Sequence, residues 1–247
     1  GEGTQRQMKI AGINLNKITK VLLSHWHGDH VLGLPGLVQT MGSMGYQTEL
    51  QLYGPKGTKA RWSNVGKVFM FEERVDVKVE DIRKTRIIDE KDFYIEAMNL
   101  EHTAPCIGFS FIEKDKRRIK KEAIKKLGIP EGPQLGKLQD GQSIKWNGKT
   151  ISPDDVTYIV KGKKVTYIAD TKLCTNCVKL AENADILICE STYANSLEEK
   201  ATEYKHLTAG QAAFIANKAD VKKLVLTHFS QRYKDLEEIK EDAKMTF

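Results

Sequence analysis

The sequence predicts a layered α/β fold, because short apolar runs alternate with stretches of helical periodicity along the chain. The runs that we expect to form buried strands cover residues 21–23, 50–53, 93–100, 165–169, 186–189 and 224–226. Each run is followed by a loop that carries polar residues. A chain of 247 residues accommodates one large domain of this kind or two small ones.

The composition indicates a globular protein. Apolar residues make up 40% of the chain, which is enough to fill a core. No apolar stretch approaches the roughly 18 residues that a membrane helix needs, and no leading segment has the pattern of a secretory signal. The cysteines, which do not form a disulfide framework in a chain of this length, are Cys106, Cys174, Cys177 and Cys189. We therefore expect a soluble, cytoplasmic protein with no membrane partner.

Local signals predict three helices. Thr208 and Gln211 have the spacing of a capping box, and an apolar face follows through Ala219. Another helix is expected to begin at Gly33. Residues 115–127 also have helical spacing of apolar side chains, whereas residues 128–133 are too rich in Gly and Pro for regular structure.

The positive charge is concentrated in one segment. The chain carries a net charge of +6, and residues 113–126 contain eight basic and three acidic side chains. A local basic cluster is typical of a surface that contacts a polyanion such as nucleic acid. A solvated helix face with ion pairs would give the same pattern, so charge alone leaves both interpretations open.

Polar side chains stand where the predicted strands end. They are His25, His102, Asp170, Glu190 and His228. Open α/β sheets bind ligands at the carboxyl ends of their strands, where loops bring distant residues together. We expect these side chains to form one site.

Residues 24–30, with the sequence SHWHGDH, contain three of the six histidines. Imidazole and carboxylate are the ligands that zinc prefers. His25 and His27 are two positions apart, so in extended backbone they lie on one side and can bind one metal. Gly28 allows a tight turn, which places Asp29 and His30 toward a second metal. A chance cluster of surface histidines explains this spacing less well.

The remaining ligands must come from distant parts of the sequence, and His102, Asp170 and His228 are the candidates. Asp170 could instead cap a helix, and His228 could be an ordinary loop histidine. Two metals roughly 3.5–4 Å apart, bridged by a carboxylate such as Asp170, can clamp a phosphodiester and activate water. His206 is the histidine that remains for proton donation to a leaving oxygen.

With these residues in view, the chain resembles the ribonuclease Z family of the metallo-β-lactamase superfamily from residue 1 to about residue 233. The histidine motif is shared across the superfamily. Residues 1–5 and 31–37 match the family more selectively. Further segments also resemble the family's motifs: residues 107–109, 190–193, 206–208 and 227–233. The resemblance implies an αββα four-layer sandwich over residues 1–247, with a flexible exosite arm inserted at about residues 113–152. It also implies further strands before residue 1 and after residue 247.

The resemblance assigns a role to each candidate residue. His25, His27 and His102 would hold one zinc ion. Asp29, His30 and His228 would hold the other, with Asp170 bridging the two. His206, oriented by Glu190, would assist proton transfer together with Asp29. Manganese or iron are alternatives to the two zinc ions.

The resemblance also implies a substrate and a partner. The reaction would cut the 3′ trailer from precursor tRNA, leaving a 3′-hydroxyl on the tRNA and a 5′-phosphate on the trailer. The chain would act as a homodimer. The arm residues expected to contact RNA are Lys116, Arg117, Arg118, Lys120, Lys121, Gly132 and Pro133.

Other interpretations remain open. A phosphodiesterase or other hydrolase on the same scaffold could act on a small substrate, although such a substrate needs no exosite. A non-catalytic RNA-binding module could keep the fold, although it need not keep every ligand. Cys174 and Cys177 form a lone CxxC pair, which we interpret as incidental because a zinc ribbon needs a second pair. Cys189 stands where the family commonly has histidine.

Overall fold

The computed structural model describes residues 1–69 and 74–247. The strands in this part of the chain are β1 (Lys20–Leu22), β2 (Leu50–Gly54), β3 (Val77–Asp81), β4 (Arg86–Asp89), β5 (Phe93–Leu100), β6 (Cys106–Glu113), β7 (Lys116–Ile119), β8 (Ile144–Trp146), β9 (Lys149–Ile151), β10 (Thr157–Val160), β11 (Lys164–Ile168), β12 (Ile186–Glu190) and β13 (Leu224–Thr227).

The α-helices are α1 (Thr4–Ile10), α2 (Gly28–Val31), α3 (Gly33–Ser43), α4 (Thr58–Val68), α5 (Lys121–Leu127), α6 (Pro133–Gln139), α7 (Pro153–Val156), α8 (Thr175–Ala181), α9 (Glu198–Tyr204), α10 (Ala209–Lys218) and α11 (Glu237–Lys244). Among the described residues, no helix has the length and apolar character needed to cross a bilayer.

The predicted strands and two of the predicted helices are confirmed. Each apolar run of the sequence corresponds to a strand, with boundaries that differ by at most one residue. Helix α10 begins after Thr208, whose side chain accepts from the backbone N–H of Gln211, so the capping box is present. Helix α3 begins at Gly33, as expected.

The chain forms two compact units. The larger one consists of residues 1–89, 95–111 and 164–247. It contains a parallel sheet of order β1-β2-β3. Leu50 and Leu52 of β2 are fully buried, and they pack against Leu37 and Met41 of α3. The alternation of helical and strand periodicity therefore produces a helix-on-sheet layer, as amphipathic elements require.

A second sheet of the larger unit has the order β13-β12-β11-β6-β5-β4 in the described residues. Strands β11, β12 and β13 are parallel. Their side chains, with Ile168 and Leu187 fully buried, pack against Leu180 of α8 and Ile215 of α10. Because the three strands run in one direction, their carboxyl ends lie at the same edge of the sheet.

The smaller unit consists of residues 90–94 and 112–163. Ile124, Leu138, Ile144 and Val156 form its core. One expectation for this unit is wrong: residues 115–127 do not form one helix. Residues 116–119 form β7, which pairs antiparallel with β10, and only residues 121–127 are helical. The strand pairing supplies backbone hydrogen bonds that override the weak local helical preference.

A second expectation for the smaller unit is correct only in part. Residues 128–132 are irregular, but Pro133 begins helix α6. Proline is favoured at the first helical position because its fixed φ suits a helix and no N–H partner is needed there. Gly132 has a φ of 149°, which other residues rarely adopt.

Candidate metal centre

The polar residues that we expected at the ends of strands lie at or just after strand ends in the structure. Glu190 is the last residue of β12, and His228 directly follows β13. Asp170 lies two residues after β11, His102 two residues after β5 and His25 three residues after β1. Asp170 does not cap a helix, because Cys174 is the N-cap of α8.

The first group of candidate ligands surrounds one carboxylate oxygen of Asp170. His25, His27, His102 and Asp170 each offer a ligand atom, and these atoms all lie within 4.8 Å of one another. His102 Nε2 is 3.2 Å from His27 Nδ1. The Oδ2 atom of Asp170 is 3.6 Å from His25 Nε2 and 3.8 Å from His102 Nε2.

The second group lies around the same carboxylate. Asp29, His30, Asp170 and His228 also offer ligand atoms within 4.8 Å of one another. His30 Nε2 is 3.3 Å from both Asp170 Oδ2 and Asp29 Oδ2. His228 Nε2 is 3.4 Å from Asp170 Oδ1 and 3.2 Å from His30 Nε2. Asp170 is therefore shared by both groups, which is the position of a bridging ligand.

Two features of these groups fit bound cations. Ligand nitrogens at 2.0–2.1 Å from a tetrahedral zinc ion lie about 3.4 Å apart, close to the 3.2 Å between facing imidazoles here. In addition, His25 Nε2 and Asp170 Oδ1 are buried with no hydrogen-bond partner. Buried polar atoms are normally satisfied, so these orphaned atoms indicate that the site is built for cations.

The outer ring nitrogens are held by hydrogen bonds that orient the imidazoles. His102 Nδ1 donates to the carbonyl of Lys205 at 2.9 Å. His25 Nδ1 is hydrogen-bonded to Ser24 Oγ at 3.1 Å. A proton on Nδ1 leaves the lone pair on Nε2 facing the cluster, which is the tautomer that a metal ligand needs.

His228 is oriented through a relay. Its Nδ1 donates to Thr192 Oγ1 at 2.9 Å, and Thr192 Oγ1 donates to Glu190 Oε2 at 2.6 Å. His228 also has a φ of 59°, an uncommon conformation for a residue with a side chain. The combination holds the ring at the carboxyl end of β13, facing Asp170.

Electrostatics favour the metal-binding form of three candidate ligands, His25, His102 and Asp170. Burial lowers the pKa of His25 to about 3, against the attraction of Asp170. Burial also lowers the pKa of His102. Burial opposes the charged form of Asp170, but its hydrogen bond to His30 and the surrounding imidazoles lower its pKa overall. For His30, burial is outweighed by the hydrogen bond to Asp170, which raises the pKa.

Glu190 and His206 form a hydrogen-bonded pair beside the two groups. Glu190 Oε1 is 3.0 Å from His206 Nδ1. The His206 ring is 5.1 Å from that of His102 and 5.5 Å from that of His228, centroid to centroid. Burial opposes protonation of His206, but the hydrogen bond and charge of Glu190 outweigh burial and raise its pKa.

Glu190, His206 and His228 are also close enough to suggest a cation site of their own. The fully buried Glu190 carboxylate is instead engaged by hydrogen bonds. It accepts from the backbone N–H groups of Thr171 and Thr192, from the Thr192 hydroxyl and from His206. A carboxylate with these donors is stabilised without a metal, and its hydrogen bond fixes the orientation of the His206 ring.

The predicted RNA-contacting side chains differ in their surroundings. Arg117 is half-buried and donates to Asp154 and Thr157 at 2.6 and 2.9 Å. Lys120 donates to the carbonyls of residues 154 and 155, and Lys116 pairs with Asp92. Arg118 and Lys121 are exposed and make no ion pair with the described residues.

Sequence reasoning missed Ser24, Thr192 and Lys205. Ser24 directly precedes His25 and Thr192 lies two residues after Glu190, so a search for hydroxyls in the motifs could have found them. Lys205 acts through its backbone carbonyl, and no side-chain pattern reports that. All seven candidate ligands are brought together, while binding itself stays a prediction.

The chain is similar to known proteins in both sequence and structure. A family model described as a beta-lactamase superfamily domain matches residues 3–119 and 143–229. The chain is 40% identical to a ribonuclease Z of Methanothermobacter thermautotrophicus over 248 residues, covering 100% of this chain and 81% of that protein. It is 38% identical to a ribonuclease Z of Nocardia farcinica over 249 residues, with the same two coverages.

Solved structures agree with the sequence matches. The human short-form tRNase Z superposes with a TM-score of 0.69 at 27% identity, over 95% of this chain and 81% of that one. The protein YhfI from Bacillus subtilis, described as a metallo-beta-lactamase fold protein, has a TM-score of 0.68 at 18% identity, over 100% and 79%. The predicted fold class is thereby confirmed. The chain belongs to the ribonuclease Z family, hydrolases of the endoribonuclease class that are built on the metallo-β-lactamase fold.

Proposed function

We propose that this chain cleaves the 3′ trailer from precursor tRNA with two divalent metal ions held by its histidine and aspartate clusters. The observation that carries the proposal is the pair of ligand groups that share Asp170, beside the Glu190–His206 pair. Zinc is the metal that the ligand chemistry favours, and manganese and iron are alternatives.

The two groups divide the ligands between two ions. His25, His27 and His102 would hold one ion, Asp29, His30 and His228 the other, and Asp170 both. Divalent ions at these positions would polarise the scissile phosphodiester and lower the pKa of a bound water toward ~7. The neutral form of His25 and His102, which burial favours, is the form that such binding requires.

The chain's own side chains then move the protons. Asp29, the exposed member of its group, accepts a proton from the attacking water, whose oxygen forms the new bond to phosphorus. The bond to the 3′ oxygen of the tRNA breaks, and His206 donates a proton to that oxygen. Glu190 is hydrogen-bonded to His206 Nδ1, so His206 Nε2 is the nitrogen that donates this proton. The products are a 3′-hydroxyl and a 5′-phosphate.

One segment of the chain favours a large RNA over a small substrate. It lies between the two parts of the chain that the family model matches. Residues 120–142 lie outside the superfamily match, but the ribonuclease Z relatives align with the whole chain. This segment belongs to the smaller unit, where Arg118 and Lys121 expose their charges. We therefore propose that residues 113–152 act as an arm that contacts the tRNA backbone, through phosphate contacts that read shape.

The test is to incubate the purified protein with a 3′-extended precursor tRNA and zinc or manganese, and to map the cut. A His27→Ala variant is the paired control for metal chemistry. A cut next to the last tRNA nucleotide, with a 3′-hydroxyl and loss of activity in the variant, supports the proposal. Hydrolysis of an aryl phosphodiester without tRNA cleavage would indicate that the substrate is a small molecule. RNA binding with no hydrolysis of either would indicate a binding module.

The homodimer implied by the family resemblance stays a prediction. Light scattering on the purified protein would measure the molar mass and decide it.

A further inference from the structure

Cys174 and Cys177, whose CxxC spacing alone we interpret as incidental, lie together in the segment that follows Asp170. Cys174 precedes helix α8 and is partly exposed, whereas Cys177 lies in the first turn of α8 and is fully buried in the core of the larger unit. The backbone N–H of Cys177 donates to the carbonyl of Cys174 at 3.1 Å. One thiol of the pair therefore faces solvent while the other faces the protein interior.

The two sulfur atoms are close enough to react with each other. The distance between Cys174 Sγ and Cys177 Sγ is 3.4 Å. A disulfide needs about 2.05 Å between the sulfurs, so bond formation requires an approach of roughly 1.4 Å. Side-chain rotation within one turn can supply such a shift without moving the surrounding strands.

The environment makes the two thiols unequal. The neighbouring Cys177 thiol and the backbone N–H groups of Cys177 and Asn176 stabilise the Cys174 thiolate, and its pKa falls to about 6 although burial opposes this. The hydrogen bond to Cys174 and burial raise the pKa of Cys177. The Lys172 ammonium lies near Cys174, and its Nζ atom forms an ion pair with Glu101 Oε2 at 2.7 Å. Cys174 is therefore the better nucleophile, since the thiolate is the reactive form.

The other cysteines provide an internal comparison. Cys106 and Cys189 are both buried, and burial raises the pKa of each thiol. Thiols of this kind are inert toward oxidants and alkylating reagents. Reactivity in this chain should therefore concentrate at Cys174.

We propose that Cys174 and Cys177 form a reversible dithiol–disulfide site that reacts with low-molecular-weight disulfides. The Cys174 thiolate attacks one sulfur of the incoming disulfide, whose S–S bond breaks and releases one thiol. Cys177 then loses its proton and attacks the Cys174 sulfur of the mixed disulfide, releasing the second thiol. The protein dithiol is oxidised to a disulfide and the incoming disulfide is reduced to two thiols.

The site is independent of the RNA-cleavage proposal, because none of its atoms belongs to the ligand groups. The segment is anchored at two points, one before Cys174 and one between the two cysteines. Asn176 Nδ2 donates to the carbonyl of Asn99 at 2.9 Å, and the backbone N–H of Lys172 donates to the carbonyl of Glu101 at 2.9 Å. The disulfide would thus close a small loop within a segment that is already held in place.

The test uses the reduced, full-length protein with oxidised glutathione as the probe, followed by alkylation, digestion and mass spectrometry. In the wild type we expect a disulfide within the peptide that contains both residues, with Cys106 and Cys189 still reduced. In Cys177→Ser, the glutathione mixed disulfide should accumulate on Cys174. In Cys174→Ser, no cysteine should react. Dithiothreitol should reverse each adduct.

Because Cys177 is buried, its serine variant could fail to fold, so a second measurement uses the wild type alone. The rate of alkylation by iodoacetamide is compared among the four cysteines in the native protein. Cys174 should react at least about tenfold faster than Cys106 and Cys189. Equal rates at all sites, or a wild type that stays a dithiol under oxidised glutathione, would overturn the proposal.

Discussion

His102 and Lys205 are joined by hydrogen bonds in both directions. His102 Nδ1 donates to the carbonyl of Lys205 at 2.9 Å, and Lys205 Nζ donates to the carbonyl of His102 at 3.4 Å. Lys205 is the C-cap of α9 and adopts a left-handed conformation with a φ of 54°. Its carbonyl is thereby directed toward His102. The contact ties a candidate ligand to the loop that carries His206, so the positions of His102 and His206 depend on each other.

The first prediction concerns this carbonyl. Lys205→Gly should retain metal affinity, because glycine adopts positive φ readily, and stability should stay within about 1 kcal/mol of the wild type. Lys205→Pro should lower metal affinity by about 10- to 100-fold, because proline cannot adopt that φ and the orienting carbonyl is displaced. Competition with a fluorescent chelator measures both variants. Equal losses in both would mean that the ammonium, not the carbonyl, holds His102.

The second prediction concerns the relay from His228 to Glu190. Thr192→Val removes the hydroxyl that accepts from His228 and donates to Glu190, while keeping the shape of the side chain. We expect a loss of about 10- to 100-fold in metal affinity or activity. Thr192→Ser keeps the hydroxyl and is the matched control, with activity near that of the wild type. If valine and serine behaved alike, the relay would have no role in orienting His228.

The third prediction separates proton donation from metal binding. His206→Ala should lower kcat for tRNA cleavage by about 10²- to 10⁴-fold and leave the metal content unchanged, because His206 belongs to neither ligand group that shares Asp170. Glu190→Gln should give a smaller loss of kcat, because the amide can still accept from His206 but holds it less strongly. Elemental analysis and single-turnover kinetics provide the two readouts. Loss of metal in His206→Ala would place this residue among the ligands.

The fourth prediction concerns metal stoichiometry. His27→Ala and His30→Ala should each remove about one ion per chain, because each belongs to one of the two ligand groups that share Asp170 and each group would hold one ion. Asp170→Ala should weaken the binding of both ions, because both ligand groups share the Asp170 carboxylate. The metal should also raise Tm in the wild type, since it binds the folded state selectively. Retention of both ions in Asp170→Ala would contradict the bridging role.

The fifth prediction concerns the arm. Replacing both Arg118 and Lys121 by glutamate should raise KM for precursor tRNA and reduce its dependence on salt, because phosphate contacts are lost. Hydrolysis of a small aryl phosphodiester should be unchanged. Lys223→Glu is the control for a charge reversal outside the arm, to be compared with Lys121→Glu alone, since Lys223 is exposed directly before β13, away from the strand ends that carry the site. An equal effect of Lys223→Glu would mean that net charge, not the arm, is responsible.

The sequence by itself determined the α/β layering, the positions of six strands (β1, β2, β5, β11, β12 and β13), the capped helix α10 and the seven candidate ligands. Each of these follows from a local signal. Apolar runs predict strands, Thr208 and Gln211 predict a helix start, and the spacing of His25, His27, Asp29 and His30 predicts metal chemistry. Because parallel strands place their carboxyl ends at one edge, His102, Asp170 and His228 could be added to the same site.

The tertiary structure alone decided the rest. Residues 116–119 form a strand because β10, some forty residues further along, supplies their hydrogen bonds, and no local pattern contains that partner. The carbonyl of Lys205 and the hydroxyl of Thr192 orient ligands that are distant in sequence. The 3.4 Å contact between Cys174 and Cys177 depends on which thiol the core buries. Such contacts depend on packing between elements that are distant in sequence, so local sequence patterns do not predict them.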